Sequence, residues 1–98
     1  MKIKIFGGPS AGEVYFFRSS CPEVLVIGRT QDCDIKINDK LLSKNQAHIR
    51  YSTDDDVWIL TDGLQNKSST NGTWLYLNED HLMSSGMVFK ANQTIFTV

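Results

Sequence analysis

The residue pattern of this chain predicts an all-β fold, a sandwich or a barrel of short strands, and three observations carry that prediction. Apolar residues recur with period two in about nine short runs, the period of a half-buried strand. Clusters of Gly, Pro, Ser, Asn and Asp separate those runs. No segment keeps a 3.6-residue apolar period over about ten residues, and there is no internal repeat or low-complexity stretch.

The first two strands are expected in "KIKIF" at 2–6 and "EVYFF" at 13–17. Between them "GGPSAG" reads as a hairpin loop, because it lacks the Gly-Lys-Ser/Thr ending that a phosphate loop needs. "EVLVIG" at 23–28 and "DIKI" at 34–37 follow, bounded by "SSCP" and "TQDCD". "AHIRY" at 47–51 and "VWILTD" at 57–62 are joined by "STDDD", where Asp54–Asp56 lack the ligand spacing of a calcium loop and read as a solvated turn. "GTWLYL" at 72–77, "MVFK" at 87–90 and "TIFTV" at 94–98 complete the series. The aromatics Phe6, Phe16, Phe17, Trp58 and Trp74 fall on alternating positions, so they are expected in the core.

Ninety-eight residues suit one domain, residues 1–98, with a modest core. Its strand runs reach both ends of the sequence, so it is expected to be a domain cut from a longer protein. With 41% apolar residues and two prolines the chain reads as globular, and no stretch approaches the roughly 18 apolar residues of a membrane span. Ten Lys and Arg against eleven Asp and Glu leave a net charge of −1, so no overall field draws in nucleic acid or an anionic membrane. Any anion site must be local. Cys21 and Cys33 are too few for a disulfide framework or a paired zinc site and are expected as reduced thiols. "MKIKIFGGPSAGE" has no long apolar core after its lysines, so it is no secretory signal. Together these predict an intracellular protein, in cytoplasm or nucleus.

Three loops carry the chemistry. Gly28 would allow a sharp turn after "VLVIG" and let Arg29 project a planar five-donor fork suited to phosphate. In "LLSKNQAHI", Ser43 offers a hydroxyl and a backbone N–H from a loop that leads into a strand. In "SSTNGT", Thr70 and Asn71 precede Gly72, where an Asn side chain can bond its own backbone and stiffen the turn. Each has an ordinary reading as turn chemistry or surface charge.

In this order and spacing they resemble the forkhead-associated (FHA) domain, whose pattern runs Gly-Arg, then Ser-x-x-His, then a Ser/Thr-rich Asn-Gly-Thr. "IGRTQDCDIKINDKLLSKNQAHI" and "TDGLQNKSSTNGTWL" carry the match, through Gly28, Arg29, Asp34, Ile35, Ser43, Asp62 and Ser69–Thr73. The resemblance covers nearly the whole chain. It implies a β-sandwich of about eleven short, mainly antiparallel strands whose loops, gathered at one end, bind a phosphothreonine in a partner protein. It also implies a non-catalytic, monomeric signalling module without cofactor or metal.

Carried over by position, the resemblance gives Arg29, Ser43, Lys44 and Thr70 contacts to the phosphate, Ser43 through its hydroxyl and its N–H. Asn71 would clamp the peptide backbone, and Gly28, Gln46, Gly72 and Thr73 would support the loops. Gln46 stands where the family has its buttressing His, so weaker loop support is expected. Aligning His48 there instead would put Asn45 in the serine's place, so His48 is read as a strand residue. "YLNEDHL" blurs the family's second Asn-Gly and is read as a variant hairpin.

Three rival readings remain. Ser43, His48 and Asp62 supply a triad's letters, but no nucleophile elbow places them. The aromatics could stack bases, yet the acidic balance lacks a nucleic-acid footprint. An FHA fold used for phosphate-independent association is the alternative that Gln46 raises.

Overall fold

The computed structural model describes residues 1–19 and 24–98, and the expectation for Cys21 lies outside them. Among the described residues there are eight strands and no helix: β1 (Lys2–Lys4), β2 (Val14–Phe16), β3 (Leu25–Gly28), β4 (Ile35–Lys36), β5 (Ala47–Ser52), β6 (Val57–Asp62), β7 (Val88–Ala91) and β8 (Thr94–Thr97). They form a β1–β2 pair, a four-stranded sheet ordered β4-β3-β5-β6, and a β7–β8 pair. Every pairing is antiparallel except β3 with β4.

The four-stranded sheet carries the core. Leu25 faces Ile49 across the β3–β5 ladder, and Ile27 faces both Ala47 and Ile35. Among the described residues the buried apolar ones are Leu25, Ile35, Ala47 and Ile49. Burying a Leu or Ile side chain stabilises by roughly 1.5–3 kcal/mol, so these few positions hold the sheet's register. In β5 the alternation is visible directly: Ala47 and Ile49 point inward and Arg50 outward.

That register also brings the loops together. Ile27 pairs with Ala47, Ala47 with Asp62, and Gly28 with Lys36, so β3, β4 and β6 end where β5 begins. The segments starting at Arg29, Ile37 and Gly63, and the one ending at Gln46, therefore emerge from one edge. Backbone bonds continue past the strand ends, from Gln46 N–H to the Ile27 carbonyl, Gly63 N–H to Gln46 and Ile37 N–H to Gly28, each at 2.8 Å.

The structure corrects the strand count, which among the described residues is eight and not eleven. "GTWLYL" at 72–77 forms no strand, although its apolar residues alternate. Alternation supplies a face but no partner: the indole Nε1 of Trp74 folds back to donate to the Asn71 carbonyl at 3.0 Å, and Leu75 and Tyr76 stay exposed. The aromatics are not all core either. Phe6 and Phe16 are 96% and 74% exposed, while Tyr15 and Phe17 stack at 6.2 Å. A two-stranded pair leaves one face to solvent, and period two does not say which; the Lys2 ammonium lies 5.9 Å above the Phe16 ring.

Candidate functional site

The Gly28-Arg29 step is built around the Lys44 carbonyl. Arg29 N–H donates to it at 3.2 Å and Cys33 Sγ at 3.3 Å. Gly28 does not make the sharp turn expected of it, since its φ is not left-handed. It is glycine because a Cβ would collide with that carbonyl and lie 2.9 Å from Cys33 Sγ. With its backbone held this way, the exposed Arg29 side chain donates from Nε to the Leu42 carbonyl at 3.0 Å. This bond fixes the plane of the guanidinium and does not use its Nη groups.

Gln46 is the buried polar side chain at the base of the site. Its Oε1 accepts from Ser43 N–H at 3.0 Å, and its Nε2 donates to the Gly72 carbonyl at 2.9 Å and to Thr73 Oγ1 at 3.2 Å. The partners fix the amide orientation, because an N–H must meet oxygen and a carbonyl must meet NH2. The long amide thus spans both loops and bonds each of them. It also occupies the Ser43 N–H that was expected to face phosphate.

Asp62, which the sequence offers as a motif letter and a triad letter, anchors the third loop. It accepts from the Ser69 hydroxyl at 2.6 Å, the Thr73 hydroxyl at 2.7 Å and the Ser69 N–H at 3.1 Å. Those bonds, the Ser69 hydroxyl first, hold its carboxyl below the usual carboxylate range. Ser69 Oγ in turn accepts Gly72 N–H at 2.9 Å. Gly72 has φ 78°, and a Cβ there would lie 2.9 Å from Trp74 Nε1, so only glycine fits the turn.

The loops then meet at the surface. Thr70 N–H donates to Ser43 Oγ at 2.9 Å, and the Ser43 hydroxyl donates to Thr70 Oγ1 at 3.3 Å. Asn71 does not bond its own backbone; its Nδ2 reaches the Leu41 carbonyl, 30 residues away in sequence, at 3.0 Å. A cavity of about 530 Å³ opens over this junction, with Arg29, Ser43, Lys44, Thr70 and Asn71 on its walls. Lys40 and Lys67 line it too, and neither stood out in the sequence, where each is an isolated lysine in a turn. Four of the chain's ten Lys and Arg thus surround one cavity that, among the described residues, no Asp or Glu lines. A local cluster of cations sits on a chain of net charge −1.

The triad letters do not assemble. His48 Nδ1 donates to the Gly63 carbonyl at 2.7 Å, Asp62 holds Ser69 and Thr73, and Ser43 holds Thr70. Among the described residues no cluster of three or more His, Cys, Asp or Glu could hold a metal ion, and no helix is long and apolar enough to cross a membrane.

A family model described as the FHA domain matches residues 25–95, more than two thirds of the chain. The chain belongs to the FHA domain family. FHA domains are generally non-catalytic modules that bind phosphorylated peptides. The matched span contains every residue placed on the cavity wall and the whole four-stranded sheet that positions them. A search of curated proteins found no match.

Proposed function

We propose that this FHA domain binds a phosphothreonine in a partner protein, as an intracellular signalling module that acts by association and not by catalysis. The single observation that carries this reading is the cavity at the loop junction, with four cations and, among the described residues, no carboxylate on its walls. Arg29 is the main phosphate contact, since its Nε is anchored to Leu42 and its Nη groups remain for a bidentate bond. Lys44 adds charge beside it. Ser43 donates to Thr70 Oγ1, which leaves the Thr70 hydrogen to point at a phosphate oxygen.

Asn71 acts on the peptide backbone. Its Nδ2 is tied to Leu41, which holds its Oδ1 in place to accept a peptide N–H. Gly28, Gln46, Gly72 and Thr73 hold the loops, and this pre-organisation lowers the ordering cost of binding. Because Gln46 bridges both loops, its presence gives no argument for phosphate-independent association.

Calorimetry with matched phosphorylated and unphosphorylated peptides at fixed salt tests the reading. Affinity is expected only for the phosphorylated form, and Arg29→Ala is expected to weaken it roughly 30-fold or more, the cost of a lost charged hydrogen-bond partner. Equal affinity for the two forms would establish the phosphate-independent mode instead.

A further inference from the structure

The cavity carries more positive charge than one phosphate balances. Arg29, Lys40, Lys44 and Lys67 line it, whereas a phosphorylated side chain brings about −1.5 to −2. Arg29 and Lys44 are accounted for by the phosphate contact. Lys40 and Lys67 are left over.

Lys67 is held by a built turn. The backbones of Leu64 and Lys67 exchange two hydrogen bonds at 3.0 Å, closing a two-residue loop in which Gln65 and Asn66 have φ of 51° and 63°. That is a tight left-handed turn, and it is a costly one for a residue such as Gln65 that carries a Cβ. Gly63, at φ 72°, precedes it, and a Cβ there would collide with the Lys67 carbonyl oxygen. Lys67 also lines a second depression of about 410 Å³ that contains His48, so it stands on the border between the two cavities. Lys40 precedes Leu41, whose carbonyl receives the Asn71 amide. The spare cations thus sit on two different loops, beyond the groups assigned to the phosphate and to the peptide backbone.

We infer that the bound peptide carries a second anionic group, an acidic side chain or a second phosphate, which Lys67 reads with help from Lys40. This rests on the phosphopeptide reading above. Exposed ion pairs contribute modestly, so an acidic flank should tighten binding by about fivefold at low salt, and the gain should shrink as salt screens it.

The test uses the full chain and four peptides: phosphothreonine with neutral flanks, the same with Asp and Glu flanks on both sides, the same with a flanking phosphoserine, and the acidic peptide without phosphate. The readout is the ratio of acidic-flank to neutral-flank affinity, with thermal melting to verify that each variant is folded. Lys67→Gln should bring the ratio toward one, and Lys4→Gln, which removes the same charge from β1, should leave it near the wild-type value. A gain with phosphoserine alone would assign the cations to a second phosphate, and a gain with Asp and Glu as well would assign them to acidic peptides generally. A wild-type ratio of one, or a ratio that Lys67→Gln leaves intact, overturns the inference while phosphopeptide binding stands. If none of the phosphorylated peptides binds, the underlying reading falls and this one with it.

Discussion

Gln46 Nε2 donates to the Gly72 carbonyl oxygen at 2.9 Å, joining two loops whose bonded residues lie 26 positions apart. The other end of the same side chain accepts the Ser43 N–H at 3.0 Å. One buried amide therefore fixes both walls of the cavity, and among the described residues no buried side-chain polar atom lacks a partner.

Gln46→Ala should remove that bridge and leave the Ser43 N–H and the Gly72 carbonyl without partners. An unsatisfied buried group costs about 1–3 kcal/mol. At roughly 4–8 °C per kcal/mol for a domain of this size, the thermal midpoint should fall by about 5–20 °C. Gln46→His should stay within a few degrees, because an imidazole supplies one acceptor for Ser43 and one donor for Gly72 and loses only the Thr73 contact. Thermal melting of both variants checks this; equal losses would show that the reciprocal bonding is not what matters at this position.

Gly28→Ala should destabilise and also weaken phosphopeptide binding. The added Cβ meets the Lys44 carbonyl, which is backbone and cannot swing aside, so the loop that holds Ser43 and Lys44 must move. Overpacking of this kind costs about 1–3 kcal/mol. Gly7→Ala is the control, since a Cβ there meets nothing within 4 Å and its φ is not left-handed. Denaturant unfolding should separate the two, and similar midpoints would contradict the close approach at Gly28.

The strands were legible because period two registers burial directly, and "VWILTD" falls on β6 at both ends. "GTWLYL" carries the same period and is not a strand, because pairing depends on a neighbour that local sequence does not name. Of the candidate site, motif and spacing single out Arg29, Ser43, Thr70 and Asn71, and the fold brings all four to one cavity. Lys40 and Lys67 were not legible: only the fold brings those separate loops to one cavity. Gln46 was visible as a departure, but its reach to Gly72 and Thr73 depends on the three-dimensional distance between loops.

Asp62 gives the domain a pH dependence of known sign. Its carboxyl titrates lower in the folded state than in the unfolded chain, because the Ser69 and Thr73 hydroxyls bond the ionised form. The unfolded state then binds more protons, so this contribution is complete above the ordinary carboxylate range and is lost as pH falls below about 4, through the folded value. Asp62→Asn should therefore be less stable than the wild type at pH 7, and the gap should narrow toward pH 3. Melting curves across that range check it, and a gap that stayed constant would mean that the charge on Asp62 is not what Ser69 and Thr73 recognise. Peptide affinity should change in a separate window near pH 6, where the phosphate itself takes up a proton.

The domain should prefer phosphothreonine to phosphoserine. The two ligands carry the same phosphate, so Arg29 and Lys44 cannot tell them apart, and the difference is one methyl group. Leu41, Leu42 and Leu64 also line the cavity, which gives that methyl an apolar surface to cover. Burying one such group contributes roughly 0.8 kcal/mol, about a fourfold preference, and the stiff χ1 of a β-branched residue lowers the ordering cost further. An aspartate in place of the phosphorylated residue should fail, because it brings one charge where phosphate brings about −1.5 to −2 and three acceptor oxygens. Calorimetry on matched phosphothreonine, phosphoserine and aspartate peptides at one salt concentration decides the matter. Equal affinity for the first two would mean that the methyl remains in water and that the leucines do not form a threonine pocket.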